Sequence, residues 1–581
     1  MTALPAIEQR QRTRAGRRAS FQRFAVPAGM FIVTAGIALG IGFFADGRGF
    51  LAHAFNVGDE PLSRLAGFAV STFVGGWLVF LIIRLLRAAL RPIHPIVSVA
   101  RLTVDEALRS YVVVIFTAVL LALLCSLPLL LSDAQPLRYQ IQSYLTYGHV
   151  IASVVLGLMT VLFSCWNVAR DMEQQRAFDV FSKPISRGGY LLGKFAGVAV
   201  LNIALVAVVV AVMWYIPRVM YGSEASIRER TRIDGRTDLY DAFAVRSQVL
   251  TARGTTSANP PVDFAEEAER QLQAYQAERP EEFADFVRQA GGTGAAFTQA
   301  VNTIRNDWLQ VAPGDGESYV FTGLGRLKAL ADAAIENDTP VPTLQLRYHV
   351  EIPALDRSTP IDLTVVIDNE PMAIRALVDQ KQVYEIPATF IADDGTLTAT
   401  FFNFTVLPNG QRVVATGNRP RTVKFAPEEG LQVLYEVGDF GPNVVKAGLV
   451  MWLRLAFLSA LGTVCGAVFS FAVAAILALT VTVLAAGGDT IASVVASGSA
   501  ETGITAVDAA YTGLLGFAAT IATGLRTFSR LDAGGNLADG QVILLGDLTE
   551  TILWVSVAWT GVALLIGWAL FSRREIARVQ V

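Results

Sequence analysis

Charge is scarce in this chain. Asp, Glu, Lys and Arg together make up only 17% of its 581 residues, against about 25% in ordinary soluble domains. That shortfall excludes a single large water-soluble globule. Cysteine is nearly absent too: Cys125, Cys165 and Cys465 each sit inside an apolar run, where they act as small hydrophobes and not as a disulfide framework. The four histidines (His53, His94, His149 and His349) fall in separate segments without ligand spacing, so we expect no metal site. A net charge of −3, divided among loops and not gathered on one basic face, gives no reason to expect a nucleic-acid partner.

What the chain has in abundance is hydrocarbon. Hydrophobic residues form 53% of it, the mean hydropathy is +0.46, and several apolar runs reach the roughly 20 residues that a helix needs to cross a bilayer. We therefore expect an all-α polytopic membrane protein of about eight transmembrane helices, with spans near 25–44, 67–86, 111–131, 149–169, 195–216, 447–467, 469–486 and 551–571. The first run is read as a retained span, because it is long and lacks a small-residue cleavage site.

Arg and Lys then set the orientation. They crowd the N-terminal tail (Arg10 to Arg23), the second loop (Arg84 to Arg109), the fourth loop (Arg170 to Lys194) and the C-terminal tail (Arg573, Arg574, Arg578). An eight-span count puts all four on one side, predicting a multi-pass protein of the cell (cytoplasmic) membrane with both termini cytoplasmic.

Four regions follow. Residues 1–96 hold the N-terminal tail and two extra spans, 97–216 and 447–581 hold two halves of a membrane core, and 217–446 forms an extracytoplasmic α+β domain inserted between spans five and six. The first half of the insertion reads helical, with AEEAERQLQAYQAE before Pro280. The second half alternates with period two, and Asp394-Gly395 and Asn409-Gly410 signal hairpins. Asn337-Asp338-Thr339 and Asn403-Phe404-Thr405 fit the glycosylation triplet, a common chance pattern.

Between spans four and five lies ARDMEQQRAFDVFSKPISRGGYLLGKFAG. Residues 170–183 have a polar set (Arg170, Asp171, Glu173, Gln174, Arg176) and an apolar set (Met172, Phe178, Val180, Phe181), suiting a helix laid along the membrane surface. Pro184 ends that helix at Lys183, and Gly188 and Gly189 free the turn that follows. A short helix tied at both ends to spans can convert movement of a docked partner into helix displacement. Without a partner, the same pattern is an ordinary interfacial helix.

The order Asp171, Glu173, Lys183, Pro184, Ile185, Ser186, Arg187, Gly193, Lys194 resembles the cytoplasmic coupling loop of ABC-2 type transporter permeases, in the subgroup with a large extracytoplasmic insertion. The family's frequent Gly-Thr pair is replaced here by Gln175-Arg176. ARLTVDEALRSYVVVIF is similar to the family's amphipathic connecting helix, where Thr103 with Glu106 would make a capping box. The final span with Arg573-Arg574-Glu575 resembles its C-terminal end.

The resemblance implies a permease subunit that couples ATP hydrolysis to transport, usually export. It implies an ABC ATPase subunit and a second permease copy as partners, with the lipid bilayer around them. The ATPase contact falls to Asp171, Glu173, Arg176 and Phe178, and the turn to Lys183, Pro184, Ser186, Arg187, Gly193 and Lys194. ATP and Mg would be bound by the partner, and this chain would hold no cofactor and catalyse nothing itself. Its one near match to a phosphate loop, Gly188 to Phe195, ends in Phe where a hydroxyl is needed and follows no strand.

The spans carry almost no acids, which argues against an ion-coupled carrier. Arg454 stands near a predicted outer boundary and is expected to snorkel. Gly462, Cys465, Gly466, Ala467, Ser470, Ala472 and Ala474 favour close helix packing, within the chain or between copies. Two other readings stay open: an ATP-independent membrane scaffold or sensor whose exported domain binds an envelope partner, and transport-like machinery for envelope protein maturation.

Overall fold

The computed structural model describes residues 94–131, 137–174, 185–221, 245–290, 292–352, 360–406, 412–414, 422–427, 430–486 and 531–573, with a few isolated positions before them. They divide into two compact units. One holds the apolar helices on either side of the insertion, and the other runs from Ala252 to Gly438.

The helical unit is built from α1 (Pro95–Arg109), α2 (Tyr111–Leu130), α3 (Leu137–Glu173) and α4 (Arg187–Tyr221), then α9 (Phe440–Val468), α10 (Phe471–Ala486), the short α11 (Ala533–Ala538) and α12 (Leu545–Thr551), and α13 (Thr560–Arg573). A π-helical segment, Ile552–Trp559, joins the last two.

The expectation of an all-α protein with about eight spans is overturned. Among the described residues four helices are long and apolar enough to cross a membrane: Leu137–Glu173, Arg187–Arg218, Phe440–Val468 and Leu545–Arg573. The count becomes five only if α1 and α2, which meet at a 66° bend, form one span. The run expected at 469–486 is a helix of 16 residues, about 24 Å at 1.5 Å per residue, short of the roughly 30 Å of hydrocarbon. The runs at 25–44 and 67–86 lie outside the described residues but for isolated positions. A sizeable α+β unit shares the chain.

Helix crossings in this unit rest on glycine. A Cβ on Gly462 would lie 2.8 Å from the Ser164 Cβ, and one on Gly466 2.7 Å from the Cys165 carbonyl. Both glycines therefore serve the α3–α9 contact inside one chain, the intramolecular alternative for that small-residue stripe. All three cysteines are buried and outside any disulfide. Arg454 does not snorkel: it donates 2.5 Å to the Leu531 carbonyl from within α9. Asn443 brackets the same returning segment, donating to the Gln541 carbonyl at 2.7 Å and accepting from Ile543 N at 2.9 Å. Non-helical backbone inside an apolar bundle needs such partners.

The second unit carries α5 (Phe264–Glu278), α6 (Pro280–Ala290), α7 (Thr293–Trp308) and α8 (Gly325–Glu336). Its strands are β1 (Thr251–Ser257), β2 (Gln310–Val311), β3 (Gly316–Phe321), β4 (Thr343–Glu351), β5 (Pro360–Ile367), β6 (Glu370–Leu377), β7 (Lys381–Pro387), β8 (Leu397–Phe402), β9 (Phe404–Val406), β10 (Arg412–Val414), β11 (Val423–Phe425) and β12 (Leu431–Asp439). One sheet runs β1-β12-β4-β11-β2 with β7 also on β4, a second runs β3-β8-β5-β6, and β9 pairs with β10. Aromatic side chains from both main sheets meet in one core: Phe401 of β8 lies 5.0 Å and Tyr319 of β3 5.7 Å from Phe425 of β11, ring centre to ring centre.

The hairpins are not all where dipeptides signalled them. Asn409-Gly410 lies outside the described residues, between the antiparallel pair β9 and β10. Asp394-Gly395 makes a tight turn, with Gly395 at φ +77°, but the strands on either side enter different sheets. The tightest hairpin joins β5 to β6 through Asp368-Asn369, both at positive φ (48° and 64°), the backbone of a two-residue turn that Asn and Asp tolerate. Asn403 is fully buried and donates to the Val311 carbonyl, so it cannot accept a glycan in this fold. Asn337 is exposed at the end of α8.

Candidate functional site

Seven residues into α4, an apolar helix carries a lysine with only 1% of its side chain exposed. A buried ammonium survives only if each of its three protons meets an acceptor. Lys194 has three. Its Nζ lies 3.0 Å from Glu106 Oε2 of α1, 2.7 Å from Asp171 Oδ2 of α3 and 2.5 Å from Asn167 Oδ1 of α3. Tyr190, one turn earlier on α4, donates its hydroxyl to Asp171 Oδ2 at 2.8 Å. Three helices are thus joined by one ionic cluster.

Small residues make this convergence possible. A Cβ on Gly193 would stand 2.6 Å from the Val99 Cβ, and one on Gly197 2.6 Å from the Thr103 Cβ and 2.7 Å from the Ala100 carbonyl. The Gly193-x-x-x-Gly197 face therefore lets α4 lie directly on α1, which brings Glu106 within reach of Lys194. A small apolar core surrounds the cluster, formed by Val99, Val168, Tyr190, Leu191, Ala467 and Phe571 from five helices.

The start of α4 is fixed just as firmly. Ser186 accepts from Gly189 N at 3.0 Å, a side-chain N-cap. Arg187 donates to the Ser572 carbonyl at 2.8 Å and to that of Phe571 at 3.3 Å, satisfying carbonyls that the end of α13 leaves without helical partners. Tyr190 stacks on Phe571 with 6.3 Å between ring centres.

Set against the sequence expectation, Asp171, Ser186, Arg187, Gly193 and Lys194 are brought together, while Glu173 is exposed at the end of α3. Arg176, Phe178, Lys183 and Pro184 lie outside the described residues. The sequence pattern places Asp171 on the wet face of a surface helix. It is instead buried in the last turn of α3, because Lys194 and Tyr190 give its carboxylate better partners than water in an apolar bundle.

The capping box is corrected as well. Helix α1 begins at Pro95 with His94 as its cap, Thr103 bonds back to the Val99 carbonyl, and Glu106 points to Lys194. Asn167 and Tyr190 were missed as site residues. The available signal was Lys194 itself: a lysine that far inside an apolar run must find acids, and Glu106 and Asp171 stand at the ends of the flanking runs.

Chemically the cluster is a fastener. Two carboxylates share one ammonium, and the Tyr190 hydroxyl adds a donor to Asp171. No family model, curated protein or solved structure matches the chain.

Proposed function

We propose that this chain is the membrane-embedded permease subunit of an ABC-2 type transporter, set in the cell membrane with both termini cytoplasmic. A separate ABC ATPase subunit would supply the energy, a second permease copy would complete the assembly, and export would be the direction of transport. The observation that carries this reading is the Lys194–Asp171–Glu106 cluster. It joins α1, α3 and α4 within about two turns of the loop 174–186 that resembles the family's coupling segment.

Force applied to a loop is useful only if the helix ends move as a body. An ion cluster whose lysine is buried against two carboxylates resists separation far more than an exposed pair does. Movement of a docked ATPase at Glu173, Arg176 and Phe178 would then shift α3 and α4 together, carrying α1 through Glu106 and α13 through Arg187. The four helices able to cross a membrane fit a bundle that such a lever displaces.

Co-purification with an ABC ATPase co-expressed with this chain tests the reading. Glu173→Ala and Phe178→Ala should weaken the complex and its stimulated ATP hydrolysis, and Glu106→Gln should leave the complex intact while lowering stimulation. An impermeant thiol reagent should reach Gln174→Cys only from the cytoplasmic side. Labelling of that position from outside would sink the proposal.

A further inference from the structure

Far along the sequence from this cluster, the α+β unit gathers a second chemically distinct group. We propose that His349, Glu351 and Asp379 bind a divalent transition-metal ion of the zinc class, one that accepts mixed nitrogen and oxygen ligands. One ligand atom from each of the three lies within 4.8 Å of the other two. This inference stands independently of the permease reading.

Strand geometry explains the grouping. His349 and Glu351 are two apart on β4, so both side chains leave the same face of the sheet, while Leu346, Tyr348 and Val350 enter the core on the other. Strand β7 pairs with β4 in the register His349 to Lys381, which lays the turn before β7 alongside Glu351. Asp379 sits in that turn, its amide donating to the Val350 carbonyl at 2.8 Å. Its backbone is at φ +63°, a turn conformation that Asp tolerates.

The histidine supplies the second observation. His349 Nε2 is buried and has no hydrogen-bond partner. Asp379 Oδ1 stands 3.8 Å away, too far for a hydrogen bond. Two ligands bound to one tetrahedral zinc lie roughly 3.3 Å apart at metal–ligand distances of about 2.0–2.1 Å. A small rotation of exposed Asp379 and half-buried Glu351 would bring the set to that spacing.

One imidazole with two carboxylates suits zinc or manganese better than calcium, which prefers oxygen alone. Lys381 and Lys424 are the cross-strand neighbours of His349 and Glu351. As neighbouring cations they would oppose the charge of a bound metal. Bound metal would clip β4 to the β6–β7 turn, with water in the remaining coordination position.

The test uses the purified full chain in detergent, stripped with chelator and titrated with zinc chloride by calorimetry, with unfolding followed through tryptophan fluorescence. We expect one zinc per chain and a rise in Tm on its addition, since a ligand bound only by the folded state stabilises it. Glu351→Gln and Asp379→Asn should each weaken binding at least tenfold, and Lys381→Ala should tighten it. His349→Gln should abolish binding. If that variant does not fold, the two carboxylate variants decide the question. Absence of binding by the wild-type chain, or unchanged binding in Glu351→Gln and Asp379→Asn together, would overturn the site.

Discussion

Two sets of ion pairs among the described residues differ in what surrounds them. On α5 and α6 of the α+β unit, Arg270 pairs with Glu266 and Glu267, Arg279 with Glu282, and Arg288 with Asp285. All are local pairs, three or four residues apart, and their arginines are 64–78% exposed. The Lys194 cluster joins residues 88 and 27 positions apart in a site from which water is largely excluded. The first kind decorates helices that would form anyway, whereas the second fixes which helices touch. Isolation from water turns an equally short contact from a minor contribution into a condition of the fold.

The largest effect should follow from removing the cation. Lys194→Met leaves two carboxylates facing each other in an apolar bundle, and loss of one member of a buried pair costs about 3–5 kcal/mol. Thermal unfolding in detergent should show that loss. Adding Glu106→Gln and Asp171→Asn to Lys194→Met should recover a large part of it, because the penalty lies in unpaired charge. If the triple variant is no more stable than Lys194→Met alone, the cluster acts by shape and not by charge.

Tyr190→Phe is next. It keeps the ring against Phe571 and removes only the donor to Asp171. Hydrogen bonds to charged groups are worth about 1.5–3 kcal/mol, so unfolding should shift by that much with little change in packing. A smaller loss of about 1–3 kcal/mol is expected for Gly197→Ala, from forcing a methyl against the Thr103 side chain and the Ala100 backbone. Moving α4 off α1 should also lengthen the Lys194–Glu106 contact, so Gly197→Ala and Glu106→Gln should be less than additive.

The same contrast explains what could be foreseen. Long apolar runs named the four membrane-length helices, because length and hydropathy are local properties. Their ends were misjudged by up to 12 residues at α3, where Leu137 and its polar neighbours continue a helix expected to begin at 149. Polarity at a helix end looks like a loop until partners such as Gln248, which accepts from Arg138, are known.

The site was half legible. Gly193, Lys194 and Asp171 were marked by pattern, but their mutual contact was not, since each pairing spans tens of residues. Glu106 was drawn to a local capping role because that signal lies within four residues of Thr103. The hairpin at Asp368-Asn369 was passed over for the glycine-containing dipeptides, although Asn and Asp also tolerate positive φ. The grouping of His349, Glu351 and Asp379 depends on the β4–β7 register, which no short window of sequence contains.

The smallest effect should come from Arg270→Ala. Arg270 reaches Glu267 at 2.8 Å and Glu266 at 3.4 Å, so by distance alone it matches the Lys194 contacts. Its side chain is 66% exposed, water screens both pairs, and ordering a long arginine offsets part of any attraction. Such pairs contribute about 0.3–0.5 kcal/mol on a helix, and most of that should vanish in high salt. Thermal unfolding of the variant should therefore match wild type within about 0.5 kcal/mol, while Lys194→Met remains costly at any ionic strength. An Arg270→Ala loss comparable to that of Tyr190→Phe would mean that contact distance, and not exclusion of water, ranks the ion pairs of this protein.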